Sequence, residues 1–282
     1  MNETYDLYVG GKQVTGVNAG DLSVIDNVTG TVNYNPSTKT LTLRNATIKH
    51  GKTGVNTRIG ILSRIEGLTI DVQGTNNVLL EAGGSDKVSK QSMSIEGSTT
   101  ITGTGTLECV NDSSSCMQIN TTKSAHLYIQ GGVQMKLTGA FAAIHNYKYS
   151  GSTDYNCLTI GGASTKVTMN GQRYTTYYVI PVLNDNLALT QPAGAYFNSS
   201  GFVCDANGSI YGRDVVISKP TGLRGDINAD GRVDIDDMNI CINIILGSST
   251  PDRYPGNADV DNSGHVDVDD MNIIINIILA KV

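Results

Sequence analysis

Apolar and polar residues alternate in short runs along most of the chain, separated by Gly, Asn, Pro and Ser. A period of two marks strands with one buried face. Leu7-Tyr8-Val9 and Lys12-Gln13-Val14 flank Gly10-Gly11, which predicts a hairpin with a two-residue turn. Val32-Asn33-Tyr34 and Leu41-Thr42-Leu43 flank Asn35-Pro36-Ser37-Thr38-Lys39, a second hairpin with a longer turn. A loose repeat follows: Leu41-Thr-Leu-Arg44, Leu68-Thr-Ile-Asp71, Met93-Ser-Ile-Glu96, Leu127-Tyr-Ile-Gln130 and Leu158-Thr-Ile-Gly161. Most copies are followed by Gly and a second short strand, such as Thr99–Gly103, Met135–Gly139 or Val167–Gly171.

Strand text recurring at this spacing predicts a mainly β fold, a right-handed parallel β-helix (solenoid) of stacked coils. A β-sandwich of ordinary hairpins is the competing reading. In the stack, outward residues form columns about 4.8 Å per step. One column reads Arg44, Asp71, Glu96, Gln130, Gly161, with an Arg44–Asp71 pairing. Its neighbour reads Thr42, Thr69, Ser94, Tyr128, Thr159.

The pattern changes after Ser218-Lys219-Pro220-Thr221-Gly222, which places a domain boundary near residue 221 and predicts domains 1–220 and 221–282. Beyond it the apolar residues take a helical period. Met238, Cys241, Ile242 and Ile245 fall on one stripe, and Met271, Ile274, Ile275 and Ile278 repeat it. Ile240, Ile244, Ile273 and Ile277 lie off the stripe, as a wider core or as a partner-binding surface. This tail is a small all-α domain of two loop-helix repeats.

Charge sharpens that division. The formal net charge is -6, yet from Leu223 onward eleven Asp stand against four Lys or Arg. The acidity is local and points to a cation. Asp226, Asn228, Asp230, Asp234 and Asp237 occupy positions 1, 3, 5, 9 and 12 of a loop with Gly231 at position 6. Oxygen donors at that spacing, with Gly at the sharp turn, suit calcium. Arg232 at position 7 offers a backbone carbonyl, and Val233 at position 8 joins paired loops. The second copy carries Asp259, Asp261, Ser263, Asp267 and Asp270, with His265 at position 7. Two calcium ions are expected. Clustered carboxylates repel without them, so the metal is expected to be needed for folding. Asp-rich turns that merely cap the helices are the bland alternative.

Composition closes other routes. The chain has 39% hydrophobic residues, 16% charged residues, 32 Gly and no Trp. No basic stripe interleaved with aromatics suggests nucleic acid, and no run of 18 apolar residues suggests a membrane span. The opening MNETYDLYVGG shows no export signal. Millimolar calcium is an extracellular condition, so a secreted or cell-surface location is expected, with the signal trimmed. Cys109, Cys116, Cys157, Cys204 and Cys241 are odd in number and lack zinc spacing. Cys241 reads as a buried apolar residue, and Cys109 and Cys116 flank a loop across which they are able to pair.

Residues 225–281 resemble a type I dockerin, the module that plugs cellulosomal enzymes into a cohesin. The features are two calcium loops without a preceding helix, Asp at position 12, and near-duplicate NIxINIIL helices. The resemblance implies a cohesin-like partner. The familiar Ser-Thr at positions 10 and 11 is replaced by Ile235-Asp236 and Val268-Asp269, so the usual hydroxyl contacts are missing. This Asn/Ile-rich form resembles tails on secreted proteins of gut bacteria. The opening text, YDLYVGGKQVT and YNPSTKTLTLRNATI, resembles secreted gut-bacterial proteins with β-helical, carbohydrate-binding or adhesin-like domains.

For the β domain, three functions stand. It is a non-catalytic polysaccharide-binding surface, an enzyme (a lyase or glycosidase), or a structural adhesin capped by the calcium module. A lyase needs clustered carboxylates plus a basic residue, of which Asp71 and Glu96 beside Arg44 are a thin version. A glycosidase needs paired carboxylates, and Asp71, Glu96, Glu108 and Asp112 are scattered. His50, His126, His145 and His265 stand isolated, and no catalytic residue is assigned. Tyr147, Tyr149 and Tyr155, with Tyr174, Tyr177 and Tyr178, are able to stack on sugars or to pack the solenoid end.

Overall fold

The computed structural model describes residues 3–280 except 50, 55–56, 81–88, 149–151, 193, 221–222, 231, 255 and 262. His50, Tyr149, Gly231 and the linker residues Thr221 and Gly222 therefore lie outside the described residues. The chain divides into two compact units, Met1–Ser218 and Lys219–Val282.

The first unit is a β-solenoid with three strands per coil. Four coils follow one another: Leu68–Gln73, Thr75–Leu80 and Ser89–Ile95; Thr99–Gly103, Thr106–Asn111 and Met117–Asn120; Leu127–Ile129, Gln134–Gly139 and Ala142–Tyr147; Leu158–Ile160, Lys166–Gly171 and Tyr174–Tyr177. Each strand pairs in parallel with its counterpart one coil on, so the coils present three flat faces. Ahead of them, the single strand Thr40–Lys49 pairs with the first face through residues 40–44 and with the second through 47–49. Thr57–Ser63 opens the third face.

Alternation fixes the inside. On the first face Leu41, Ile70, Ile101, Ile129, Ile160 and Leu183 stand in register. The second face contributes Ile48, Val78, Cys109, Leu137 and Met169. From the third come Ile61, Met93, Met117 and Ile144. All but Leu183 are buried and belong to one core cluster. Corners need small residues. At Gly103, φ is +112° and an added Cβ would sit 2.2 Å from the Val72 carbonyl oxygen, so the turn between first and second faces tolerates no side chain. At the same edge one coil earlier, buried Asn76 accepts from the Ala46 N–H at 2.9 Å and donates to the Thr106 carbonyl at 3.3 Å. It joins three successive coils.

Antiparallel strands cap the N-terminal end of the solenoid and, at the far end, its second face. Both predicted hairpins form. Thr4–Val9 pairs with Lys12–Thr15 across Gly10-Gly11 and lies on Thr57–Ser63. Val28–Asn35 runs along Thr40–Lys49, with Asn35 opposite Thr40. At the far end Val215–Ser218 pairs antiparallel with Lys166–Gly171, and Ala188–Gln191 pairs with it in turn. The first face instead ends on the parallel strand Val182–Leu183 and the third on Tyr174–Tyr177.

The solenoid stands, but its columns differ from the expected ones. Met93-Ser94-Ile95 lies on the third face, not the first; the first-face strand of the next coil is Thr99–Gly103. The long initial strand is also shifted by one step, since Thr42 faces Asp71 and Arg44 faces Gln73. The outward column reads Thr40, Thr69, Thr100, Tyr128, Thr159, Val182. Arg44 thus does not pair with Asp71. Its guanidinium donates to the Gln73 amide oxygen at 2.9 and 2.5 Å, and the Gln73 amide donates to Asp71 at 2.6 Å. Glu96 pairs with Arg64 at 2.8 Å.

All five cysteines are free and buried. The Cys116 thiol donates to the Cys109 carbonyl at 3.1 Å, and Cys109 contacts the Met93 sulfur at 3.7 Å. Hydrogen bonding to Cys116 and burial push the Cys109 thiol up.

The second unit holds the two α-helices found among the described residues, α1 (Ile235–Ile245) and α2 (Val268–Leu279). They pack through Ile227, Val233, Cys241, Ala258, Val260 and Ile274. Cys241 is fully buried, as is its copy Ile274, and burial raises its thiol pKa to about 11. Of the expected stripes, Met238, Cys241 and Ile245 with Met271, Ile274 and Ile278 lie in or on this core, which is the wider one. Ile240, Ile244, Ile273 and Ile277 pack onto this core, whereas Ile242 and Ile275 are half-buried and lie outside it.

Candidate calcium loops and docking face

Each loop is drawn closed by the carboxylate at its twelfth position. Asp237, fully buried at the first turn of α1, accepts from the Ile227 N–H at 2.7 Å, the Asn228 N–H at 3.1 Å and the Asp234 N–H at 2.9 Å. Asp270 does the same for Val260 at 2.6 Å, Asp261 at 3.1 Å and Asp267 at 2.9 Å. These N–H groups belong to positions 2, 3 and 9, so one side chain ties the start, end and helix of each loop. Asp234 and Asp267 complete a capping box, accepting from the Asp236 and Asp269 N–H groups at 3.0 and 2.8 Å. The negative first turn also opposes the positive helix end.

Inside the loops, local side-chain bonds shape the backbone. Asp226, only 2% exposed, accepts from the Asp230 N–H at 3.1 Å, as Asn228 does at 2.9 Å. Asp230 accepts from the Arg232 N–H at 2.9 Å. In the second loop, Asp259 accepts from Ser263 and Gly264, each at 2.9 Å. Asp261 accepts from Ser263 at 2.9 Å. Hydrogen bonds from the Ser263 N–H and side chain hold the Asp261 carboxyl below its usual range. The Ser263 hydroxyl bonds the His265 carbonyl at 3.2 Å.

Among the described residues, one group of three potential metal ligands converges: Asp259, Asp261 and Asp270, whose oxygens lie within 4.8 Å of one another. Calcium binds oxygens at 2.3–2.6 Å, so one ion reaches ligands up to about 5 Å apart. The three carboxylates fit such an ion, and their donor set is all hard oxygen. Asp267 does not join them; its oxygen caps α2 instead. The matching positions in the first loop are Asp226, Asn228 and Asp237, with an amide in place of one carboxylate.

The sequence did not point to the outer surface of the helices. Ile235 is 59% exposed, Leu246 71%, Val268 52% and Leu279 63%. With half-buried Ile242 and Ile275, they form the stripes Ile235, Ile242, Leu246 and Val268, Ile275, Leu279, spaced i, i+7, i+11 on each helix. Asn239 and Asn272 complete each stripe at i+4 and are exposed. The signal lay in Asp237 and Asp270. A position-12 side chain must turn into its loop, which aims Cys241 and Ile274, one turn on, at the core and their opposites at solvent.

No curated protein and no solved structure matches the chain. The family model described as the dockerin type I domain matches residues 224–279. Type I dockerins bind calcium, occur in secreted proteins and direct attachment to a cohesin. The chain carries a dockerin type I domain at its C-terminal end, preceded by a β-solenoid.

Proposed function

We propose that this is a secreted, non-catalytic binding protein whose solenoid holds polysaccharide and whose dockerin fastens it to a cohesin-type receptor. Calcium in each loop fixes the receptor-facing helices. The ligands are Asp226, Asn228, Asp230 and Asp237 with the Arg232 carbonyl, and Asp259, Asp261, Ser263 and Asp270 with the His265 carbonyl, while the helix-capping Asp234 and Asp267 at position 9 reach the ion through water. The observation that carries the docking reading is the duplicated exposed stripe. Ile235, Ile242 and Leu246, echoed by Val268, Ile275 and Leu279, are apolar side chains left in water on the outer side of both helices. They replace the earlier candidates Ile240, Ile244, Ile273 and Ile277, which the module's own core occupies. Apolar residues at positions 10 and 17 favour a receptor that buries them rather than one that bonds hydroxyls.

The non-catalytic reading is supported by what the solenoid's acids do. Asp71 is tied to Gln73, Glu96 to Arg64, and Glu108 to Lys136 at 2.8 Å. Asp71 lies on a first-face strand and Glu108 on a second-face strand, and Glu96 follows a third-face strand. None faces another across a shared cleft at glycosidase spacing.

The test is binding of the full chain to a panel of purified cohesin domains, with calcium and with chelator. Calcium-dependent binding that Ile242→Asp plus Ile275→Asp abolishes, with the melt unchanged, is expected. Binding untouched by that pair of substitutions defeats the docking face. New reducing ends or unsaturated products from any polysaccharide incubated with the chain defeat the non-catalytic reading.

A further inference from the structure

The third face of the solenoid changes character toward its C-terminal end. Its last two strands, Ala142–Tyr147 and Tyr174–Tyr177, carry rings on their outer surface, with His145 and Tyr177 in register. Phe141, His145, Tyr174, Tyr177, Tyr178 and Phe202 form one connected set with centroids 4.4 to 6.1 Å apart. All six are half-buried, and Tyr147 at the rim is 51% exposed. Tyr155 stacks on Tyr178 at 5.9 Å with an interplanar angle of 18°.

The strands of this surface also carry no acid; Asp154 borders it, its carbonyl accepting from the Asn146 amide at 2.9 Å. The five strands of the third face, Thr57–Ser63, Ser89–Ile95, Met117–Asn120, Ala142–Tyr147 and Tyr174–Tyr177, hold no Asp or Glu. Two cations flank the rings. The Lys148 ammonium lies 4.6 Å from the Tyr178 centroid and 5.2 Å from that of Tyr155, and it donates to the Ser152 carbonyl. Exposed Arg173 lies 5.5 Å from the Tyr174 centroid. Among the described residues, neither cation meets a carboxylate. On the second face, by contrast, Lys136 is matched by Glu108.

We propose that this aromatic end of the third face, whose strands carry no acid, binds an anionic polysaccharide, one built from uronic acids. The assignment rests on the polysaccharide reading above. Pyranose C–H faces stack on half-buried rings, and ring stacking alone does not distinguish neutral from acidic sugars. Charge makes the distinction. Lys148 and Arg173, held beside the rings without an acidic partner, are placed to take the sugar carboxylates, Arg173 by a forked bond. Tyr147 extends the platform outward from the pair.

The experiment is affinity electrophoresis of the full chain through gels holding polygalacturonate, alginate, or neutral galactan and glucan. Retardation by a uronate polymer, weakened by added salt, is expected. Lys148→Gln with Arg173→Gln should weaken it at least about tenfold, the worth of about 1.4 kcal/mol. Tyr147→Ala should weaken uronate binding further. A thermal melt unchanged from the parent shows that the fold survives each change. Uronate binding indifferent to these substitutions removes the site while leaving the polysaccharide reading standing. Preference for neutral polymers overturns the anionic class. Retardation by no polysaccharide overturns both.

Discussion

The position-12 carboxylates give the sharpest handle on how the dockerin holds its shape. Replacing Asp270 by Ala removes the acceptor of three backbone N–H groups, at 2.6, 3.1 and 2.9 Å. Hydrogen bonds to a charged acceptor are each worth about 1.5–3 kcal/mol. Val260 is 4% exposed, so its N–H is stranded, whereas Asp261 and Asp267 belong to exposed residues with water at hand. Counting the first in full and the others at a fraction gives a loss of about 3–5 kcal/mol. A unit the size of Lys219–Val282 is stable by about 3–10 kcal/mol in total. Asp270→Ala is therefore expected to leave the module at or near its unfolding threshold. Asp237→Ala, with its matching bonds, should behave alike. Asp269→Ala, one residue away and exposed, should cost no more than about 0.5 kcal/mol. The assay is urea unfolding in saturating calcium, which the module is expected to need for folding, followed by helical circular dichroism, since the helices of the described residues are α1 and α2. If Asp270→Ala and Asp269→Ala unfold at the same urea concentration, the carboxylate does not fasten the loop.

Three further outcomes follow from the same structure. Calcium at about a hundredfold over its dissociation constant should stabilise the second unit by about 2.7 kcal/mol; a helical melt identical with calcium and with chelator sinks the ligand assignment. Burial lowers the His145 pKa to about 4, below its ordinary value of about 6.5. The unfolded chain then binds a proton that the folded chain refuses. Its contribution is full above about pH 6.5 and is lost as the pH falls toward 4, by at most about 3 kcal/mol. Melting temperature against pH should show a drop in that window that His145→Gln flattens, and an equal drop in the variant refutes the attribution. Ile101→Ala, at a fully buried position, should destabilise the solenoid by about 2–5 kcal/mol in chemical denaturation. Outward Thr100→Ala should stay within about 0.5 kcal/mol; equal effects would mean the strand's faces are assigned backwards.

The hairpins were legible because their turns need particular residues: Gly10-Gly11 takes φ of 56° and 82°, a conformation few other residues accept. The solenoid was legible from period-two text. Its columns were not, because all three strands of a coil share the same apolar-polar-apolar pattern, and nothing local marks the face. Met93 resembled Leu127 in sequence and stacks on Met117 in space. The spacing offered candidate ligands one by one, but the bonding of Asp237 and Asp270 to backbone N–H groups was not readable from it. Isoleucine around both helices erased the amphipathic contrast that would have set their rotation. The aromatic cluster was half-read: the tyrosines were visible as a group, while Phe141 and Phe202 join them only when the coils and the following loop fold together.

The antiparallel strands at both ends have a consequence for how such a chain changes length. The second and third coils are interior on all three faces, and each presents the same three strands to its neighbours above and below. Leu68 registers with Thr99, and Thr99 with Leu127, while Thr75, Thr106 and Gln134 follow suit on the next face. Excising residues 99–126 would bring Leu127 onto Leu68 and Gln134 onto Thr75 without disturbing either terminus. The fold thus behaves as a stack of interchangeable storeys between a fixed floor and a fixed roof. Its reach can be lengthened or shortened by whole storeys.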